Sequence, residues 1–244
     1  MIADARAAVA FLTRLPVGTT DLTARTLSRA APWFPAVGLL VGGVMAGTRA
    51  LANLALEPTP ATVLALLAAM LVTGGLHEDG LADAADAMGA HAARERKLAI
   101  LRDSRVGAYG ALALIFAVVF AVAVLAPLDD GEFARAAVLG HVLGRWSTLP
   151  QALALPAAHR DGSGALVRPS AIAVAAGTTI ALATALVAGD LGPGAIAAAT
   201  AAVAPRAVTT AVRVLGGVSG DTFGAVAKLV ELASYAALVA AWGH

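Results

Sequence analysis

The sequence predicts an all-α protein, a polytopic integral membrane bundle of about seven transmembrane helices, and three observations support this prediction. Hydrophobic residues make up 59% of the 244 residues and charged residues only 14%, whereas a soluble domain has about a quarter charged residues. Mean hydropathy is +0.80. Several charge-free stretches approach the length of about 20 apolar residues that crosses a bilayer. The chain has no Cys, which excludes disulfides, thiolate catalysis and Cys-ligated metal.

The predicted spans follow an N-terminal segment, residues 1–31, that we expect to lie at the membrane interface because it is amphipathic and too polar to cross. Four spans come from charge-free stretches and three from apolar stretches with isolated polar residues. Six or eight spans also fit, because some boundaries depend only on Gly and Pro. We expect one domain over residues 1–244, with close helix packing at Gly38, Gly42 and Gly43. The seven spans lie near 32–56, 61–82, 107–128, 133–158, 170–189, 193–215 and 221–242.

The distribution of Lys and Arg predicts the orientation of these spans. Most of the 17 basic residues precede the first span or lie in the loops after the second and fourth spans. The opposite loops contain acidic residues instead: Glu57, Asp129, Asp130, Glu132 and Asp190. Basic loops remain in the cytoplasm. We therefore expect a multi-pass protein of the cytoplasmic (inner) membrane with a cytoplasmic N-terminus.

The stretch from His77 to Asp86 contains four carboxylates directly after an apolar run. If that run continues as a helix, Asp79, Asp83 and Asp86 share one face. Like charges at this spacing repel unless a cation neutralises them, and oxygen ligands favour a hard ion such as Mg²⁺. A solvated helix end is the alternative, but carboxylates beside an apolar span are usually functional. We therefore predict a Mg²⁺ site at these three residues, with Glu78 as a further ligand.

The stretch Arg102, Asp103, Ser104 and Arg105 precedes the third span and predicts a phosphate site. Guanidinium groups bind phosphate in bidentate fashion, and a helix N-terminus adds backbone donors. The alternative is a basic loop that only sets topology.

Other polar residues on the predicted cytoplasmic side are weaker candidates for substrate or phosphate binding. Asp221 could instead be a helix N-cap, and Lys228 could form an internal ion pair with Glu231. His141 is expected to be a satisfied interior residue. The weaker candidates are Arg14, Arg145, Arg206, Arg213, Asp221 and Lys228.

These features together predict a membrane enzyme that transfers a phosphate-containing group, with its active site on the cytoplasmic face. One side chain must accept a proton from the attacking hydroxyl. Asp86 and His77 are the candidates for this base, and Asp83 is a further catalytic candidate; the sequence does not decide among them. A cation-coupled transporter is the alternative class, although such sites usually lie near the bilayer midplane between repeated halves, and no internal repeat is seen.

The acidic motif and the following Asp103-Ser-Arg-Val-Gly-Ala-Tyr-Gly110 motif resemble the signature of the cobalamin synthase family, the adenosylcobinamide-GDP ribazoletransferases. Phe11-Leu-Thr-Arg-Leu-Pro16, Trp33-Phe-Pro-Ala-Val-Gly38 and Gly216-Gly-Val-Ser-Gly-Asp221 also resemble that family, in the same order. The acidic motif is also similar to the core of CDP-alcohol phosphotransferases. It departs from their Asp-Gly-xx-Ala-Arg core because this chain, with Asp79-Gly80-Leu-Ala82-Asp83, lacks that Arg and has its carboxylates closer together.

The resemblance implies a Mg²⁺-dependent enzyme of the prokaryotic cytoplasmic membrane. A hydroxyl of α-ribazole, or of α-ribazole 5′-phosphate, would attack adenosylcobinamide-GDP and release GMP. The expected partners are these small molecules and the lipid bilayer, with no nucleic acid; a homo-oligomer is left open. A phosphotransferase acting on a lipid head group would share the chemistry and differ in the acceptor.

Overall fold

A computed structural model describes residues 1–18, 21–158, 167–188 and 191–243. Within these ranges the chain forms helices and no β-strand, apart from one isolated bridge between Ala157 and Val218. The all-α prediction is therefore confirmed. The helices are α1 (Ile2–Leu12), α2 (Ala24–Ala30), α3 (Phe34–Ala52), α4 (Pro58–Thr73), α5 (Leu76–Gly89), α6 (Arg94–Ile100), α7 (Ala108–Leu125), α8 (Asp130–Ala154), α9 (Ala171–Ala188), α10 (Leu191–Leu215) and α11 (Gly220–Trp242).

The described helices include several that are long and apolar enough to cross a membrane. Four segments meet this criterion: Ala24–Ala52, which includes α2 and α3, and the helices α7, α9 and α11. The bent pair α4 and α5 would be a fifth. A helical membrane protein is confirmed, whereas the count of seven spans and the cytoplasmic N-terminus stay predictions. Positions 189 and 190, which end the predicted fifth span and begin its acidic loop, lie outside the described residues.

The expected continuous helix over residues 61–82 is wrong. Helix α4 ends at Thr73, and α5 begins at Leu76 after a bend of 90°. Gly74 and Gly75 form this bend with φ angles of 68° and 71°, a left-handed conformation that residues with a Cβ rarely adopt. Asp79, Asp83 and Asp86 still share one face, because all of them lie on α5 and are spaced by four and three residues.

Glycines bring the central helices α3 and α8 into contact. A Cβ on Gly38 would lie 2.6 Å from the Cα of Val142, and one on Gly42 would lie 2.5 Å from the Cα of Val138. The prediction of close packing is confirmed at these two glycines and wrong at Gly43, around which a Cβ would have open space. The backbones of α3 and α8 approach this closely because neither glycine has a side chain.

A buried arginine ties the end of the bundle that is remote from the α4–α5 bend. Arg49 on α3 donates to Oγ1 of Thr62 at 2.7 Å and to the carbonyl of Leu128 at 3.1 Å. Its guanidinium also lies 4.6 Å from the ring centre of Phe133. These contacts join α3, α4, α8 and the end of α7, so polar groups in that region are satisfied inside the protein.

Candidate active site

Helix α5 is held against the start of α11 by a pair of glycines. A Cβ on Gly80 would lie 2.8 Å from the carbonyl oxygen of Asp221 and 3.0 Å from the Cα of Gly224. The glycine within the acidic motif is therefore explained by packing. It brings the acidic face of α5 beside Asp221, a residue far away in the sequence.

The acidic cluster consists of Asp79, Asp83 and Asp221, with Asp86 at its border. Asp83 lies within electrostatic reach of the other three. The N-cap interpretation of Asp221 is wrong, because Ser219 caps α11 and accepts from the backbone N–H of Thr222 at 3.2 Å. Asp221 is thus an acidic neighbour of the α5 carboxylates.

Asp86 joins the two sequence motifs. Its Oδ2 accepts from the backbone N–H of Gly107 at 2.7 Å, and its Oδ1 accepts from that of Gly110 at 2.9 Å. These bonds satisfy donors at the start of α7. Asp86 therefore fixes the 101–107 loop to the end of α5, while its predicted roles as metal ligand and base stay predictions.

The predicted phosphate loop contains an exposed ion pair. The guanidinium of Arg105 donates to Asp103 through Nε at 2.9 Å and through Nη2 at 2.7 Å. These bonds, with the backbone N–H of Arg105 at 3.1 Å, lower the pKa of the Asp103 carboxyl to about 2. Ser104 and Arg102 are exposed on the same loop. A phosphate at this loop would share the Arg105 guanidinium with Asp103.

A buried network of charged residues lies next to the acidic cluster. Nζ of Lys228 lies 2.7 Å from Oε1 of Glu78 and 2.7 Å from Oε1 of Glu231. Nδ1 of His141 lies 2.9 Å from Oε2 of Glu231, and Nη1 of Arg145 donates to the carbonyl of His141 at 3.1 Å. The internal ion pair, one of the two alternatives left open for Lys228 and Glu231, is present. Glu78 belongs to this network in the structure, while its predicted role as a metal ligand stays a prediction.

Two cavities meet at Asp79. The larger, of about 670 Å³, lies between α4 and α7 and is also lined by Arg14, Glu78 and Lys228. The smaller, of about 110 Å³, is lined by His77, Arg145 and Asp221, and Asp79 lines both. The Asp79 carboxylate is therefore placed where groups bound in the two cavities would meet.

Comparison with known proteins then decides the family. The chain matches the family model of cobalamin-5-phosphate synthase over residues 4–239. It belongs to that family. No solved structure matches the chain.

Three curated relatives that cover almost the whole chain are each named adenosylcobinamide-GDP ribazoletransferase. The protein of Roseiflexus sp. (strain RS-1) is 36% identical, covering 95% of this chain and 87% of the relative. The protein of Bradyrhizobium diazoefficiens is 38% identical, covering 95% and 91%. The protein of Desulforamulus reducens is 35% identical, covering 95% and 94%.

In this member of the cobalamin-5-phosphate synthase family, the remaining residues predicted to bind substrate or phosphate do not all lie at the two cavities. The exposed Arg14 extends over Gly74, lines the larger cavity, and donates its backbone N–H to Val72 at 2.7 Å. Arg213 is exposed on α10 and lines neither cavity. Nothing is described of the side chain of Arg206.

Two residues that line the cavities of this protein were not predicted from the sequence as binding residues. Phe11 lines both cavities, and Thr148 lines the smaller one beside Arg145. Phe11 belongs to a motif that carried the resemblance, so the sequence contained a signal for it. Thr148 had no signal, because its position depends on the packing of α8.

The donor chemistry of the acidic cluster fits Mg²⁺, since every candidate ligand is a carboxylate oxygen. Among the residues that the structure describes, no three His, Asp or Glu side chains are arranged so that they could hold a metal ion. Glu78 is occupied by Lys228 and Asp86 by two backbone N–H groups. Asp79, Asp83 and Asp221 therefore remain as candidate ligands, with Asp221 also accepting from the hydroxyl of Ser219 at 3.3 Å.

Proposed function

We propose that the chain transfers the cobinamide-phosphate group of adenosylcobinamide-GDP to α-ribazole or α-ribazole 5′-phosphate, in the final nucleotide-loop step of cobalamin biosynthesis. A ribose hydroxyl oxygen attacks the phosphorus nearer to cobinamide, and the bond from that phosphorus to the bridging oxygen breaks. The hydroxyl proton goes to a base, and GMP leaves with the bridging oxygen. The observation that carries the proposal is that Asp79 of the acidic cluster lines both cavities, in a chain of this family.

The acidic cluster would hold Mg²⁺ through Asp79, Asp83 and Asp221. When bound, the ion supplies charge neutralisation at the phosphate oxygens. Asp221 enters this set because α11 places it beside α5. The 101–107 loop with Arg102 and Arg105 would contact the phosphates at their outer side.

The two predicted bases, His77 and Asp86, lie in different surroundings. His77 is buried and lines the smaller cavity together with Asp79 and Asp221. Both carboxylate oxygens of Asp86, in contrast, accept backbone hydrogen bonds that position α7. Asp86 would therefore position the phosphate loop, and the choice of the base that receives the proton of the attacking hydroxyl stays a prediction.

The proposed site lies on the cytoplasmic face of the cytoplasmic (inner) membrane. The support is the positive charge of the 94–105 segment, which belongs on the cytoplasmic side and is joined to the acidic cluster through Asp86. A guanylylated, diphosphate-containing substrate would reach this face directly from the cytoplasm.

Product analysis tests the proposal. Purified protein in liposomes receives adenosylcobinamide-GDP and α-ribazole 5′-phosphate, with Mg²⁺ or with EDTA. We expect GMP and a complete corrinoid with Mg²⁺ and neither with EDTA. No GMP release from folded protein would refute the proposed reaction. Equal GMP release with Mg²⁺ and with EDTA would refute the proposed dependence on Mg²⁺.

A matched pair of variants tests the acidic cluster. Asp83→Ala should abolish GMP release while membrane insertion is retained. Glu95→Ala removes an exposed carboxylate on α6 and should leave turnover unchanged. Normal turnover of Asp83→Ala at saturating Mg²⁺ would refute the metal assignment.

A further inference from the structure

The larger cavity combines apolar walls with a charged border. Its walls include Leu66, Ala69, Met70 and Thr73 of α4 and Leu114, Ala117, Val118 and Ala121 of α7. On each helix the lining residues cover two turns, which at a rise of about 1.5 Å per residue is a depth of roughly 10 Å. The cavity therefore extends from the acidic cluster along the apolar helices.

Charged residues border this cavity near the α4–α5 bend and along α11. Glu78, Asp79 and Lys228 line it, and Arg14 lies beside the α4–α5 bend. Lys228 is almost fully buried. An ionisable group in this position is costly and usually functional. A ligand that fits must therefore have one apolar end and one end rich in hydrogen-bonding groups.

The two substrates of the proposed reaction differ in this respect. A benzimidazole nucleoside has a flat, apolar base at one end and a ribose with several hydroxyls at the other. A corrinoid linked to GDP is far larger, has polar amides around its ring and carries a charged diphosphate. A cavity of about 670 Å³ is within the range that encloses a drug-sized ligand. Its apolar walls match the base and do not match the diphosphate.

We propose that the larger cavity is the acceptor site, with the benzimidazole base of α-ribazole between α4 and α7 and the ribose toward Glu78, Lys228 and Asp79. The inference rests on the proposed function and names the substrate that this cavity takes. It places the nucleophilic hydroxyl next to Asp79, which also lines the smaller cavity. The apolar part of the acceptor is then bound at the depth of the membrane helices.

Two neighbouring valines on α7 provide the test. Val118 lines the cavity and is 40% exposed, whereas Val119 is 61% exposed and does not line it. Val118→Trp should occupy the space of the base, and Val119→Trp adds the same side chain to the outer face of the helix. Met70→Trp enters the cavity from the opposite wall and serves as the second variant if Val118→Trp is poorly folded. Folding is monitored by size-exclusion chromatography and melting temperature.

The readouts are equilibrium binding of tritiated α-ribazole to protein in phospholipid nanodiscs, and the KM of each substrate. We expect Val118→Trp and Met70→Trp to weaken α-ribazole binding and to raise its KM at least tenfold. The KM for adenosylcobinamide-GDP should stay within twofold, and Val119→Trp should behave as wild type.

Three results would overturn the inference. The first is an equal α-ribazole KM in the Val118→Trp and Val119→Trp variants. The second is a rise in the KM of the corrinoid substrate in place of that of α-ribazole. The third is α-ribazole binding that is unchanged in both cavity variants. Wild-type protein that binds α-ribazole but releases no GMP would instead refute the proposed function and leave the cavity assignment standing.

Discussion

Replacing Lys228 by Met should destabilise the protein strongly, because one buried ammonium neutralises two carboxylates. Its Nζ lies 2.7 Å from Glu78 and 2.7 Å from Glu231, and Lys228 is only 8% exposed. Methionine keeps an unbranched side chain, shorter by the ammonium group, and leaves both carboxylates without this cation. Removing one partner of a buried ion pair costs about 3–5 kcal/mol. At roughly 2–4 °C per kcal/mol for a chain of this size, the melting temperature should fall by about 6–20 °C.

The assay is thermal unfolding in detergent, followed by circular dichroism. Adding Glu78→Gln to Lys228→Met should recover part of the loss, since one uncompensated charge is removed. Arg105→Met serves as the control: its ion pair with Asp103 is also 2.7 Å long, but the Arg105 side chain is 85% exposed. An exposed pair of this kind adds little, so the melting temperature of the control should match that of wild type. Equal melting temperatures for Lys228→Met and Arg105→Met would refute the reasoning.

Three further changes test other parts of the structure. Gly80→Ala places a Cβ 2.8 Å from the carbonyl oxygen of Asp221, so it should lower the free energy of unfolding by about 1–3 kcal/mol and lower kcat. Gly43→Ala, where the Cβ has open space, should leave stability unchanged or raised and turnover unchanged. Unfolding and turnover assays measure both variants. Arg49→Met should lower the free energy of unfolding by about 2–4 kcal/mol, because several buried acceptors lose a charged donor. The KM of each substrate should stay unchanged, and a changed KM would contradict the purely structural role of Arg49. Arg14→Gln at the larger cavity removes a cation that would contact the 5′-phosphate of the acceptor. It should raise the KM of α-ribazole 5′-phosphate severalfold and leave the KM of α-ribazole unchanged. An equal effect on the two KM values would show that Arg14 does not contact the 5′-phosphate.

Patterns close together in the sequence predicted much of the candidate site. The acidic motif and the Asp103–Gly110 motif were both recognised, and the structure joins them through Asp86 and the backbone of Gly107 and Gly110. Helical spacing also indicated the pair of Lys228 and Glu231 as one of two alternatives. Such contacts follow from the period of a single helix or from a short connection, which the sequence displays directly.

The roles of two acidic-motif residues and of Asp221 depended on partners elsewhere in the chain. Glu78 has the same charge and neighbourhood in the sequence as Asp79, but α11 places Lys228 within ion-pair distance of Glu78. Asp221 looked like a helix cap, yet Ser219 takes that place and leaves Asp221 beside α5. Neither outcome could be predicted, because contacts between α5 and α11 depend on how the helices pack.

The sequence by itself determined that this protein is helical, lies in a membrane and belongs to its family, because composition, hydropathy and motif order are properties of the chain alone. Only the tertiary structure decided that the helix breaks at Gly74 and Gly75 and that Gly80 lets α11 approach the acids. It also decided that Asp79 borders two cavities of unequal size. The physical reason is that cavities, buried charge pairs and interhelical glycine contacts arise between elements distant in sequence, where local pattern carries no information about distance.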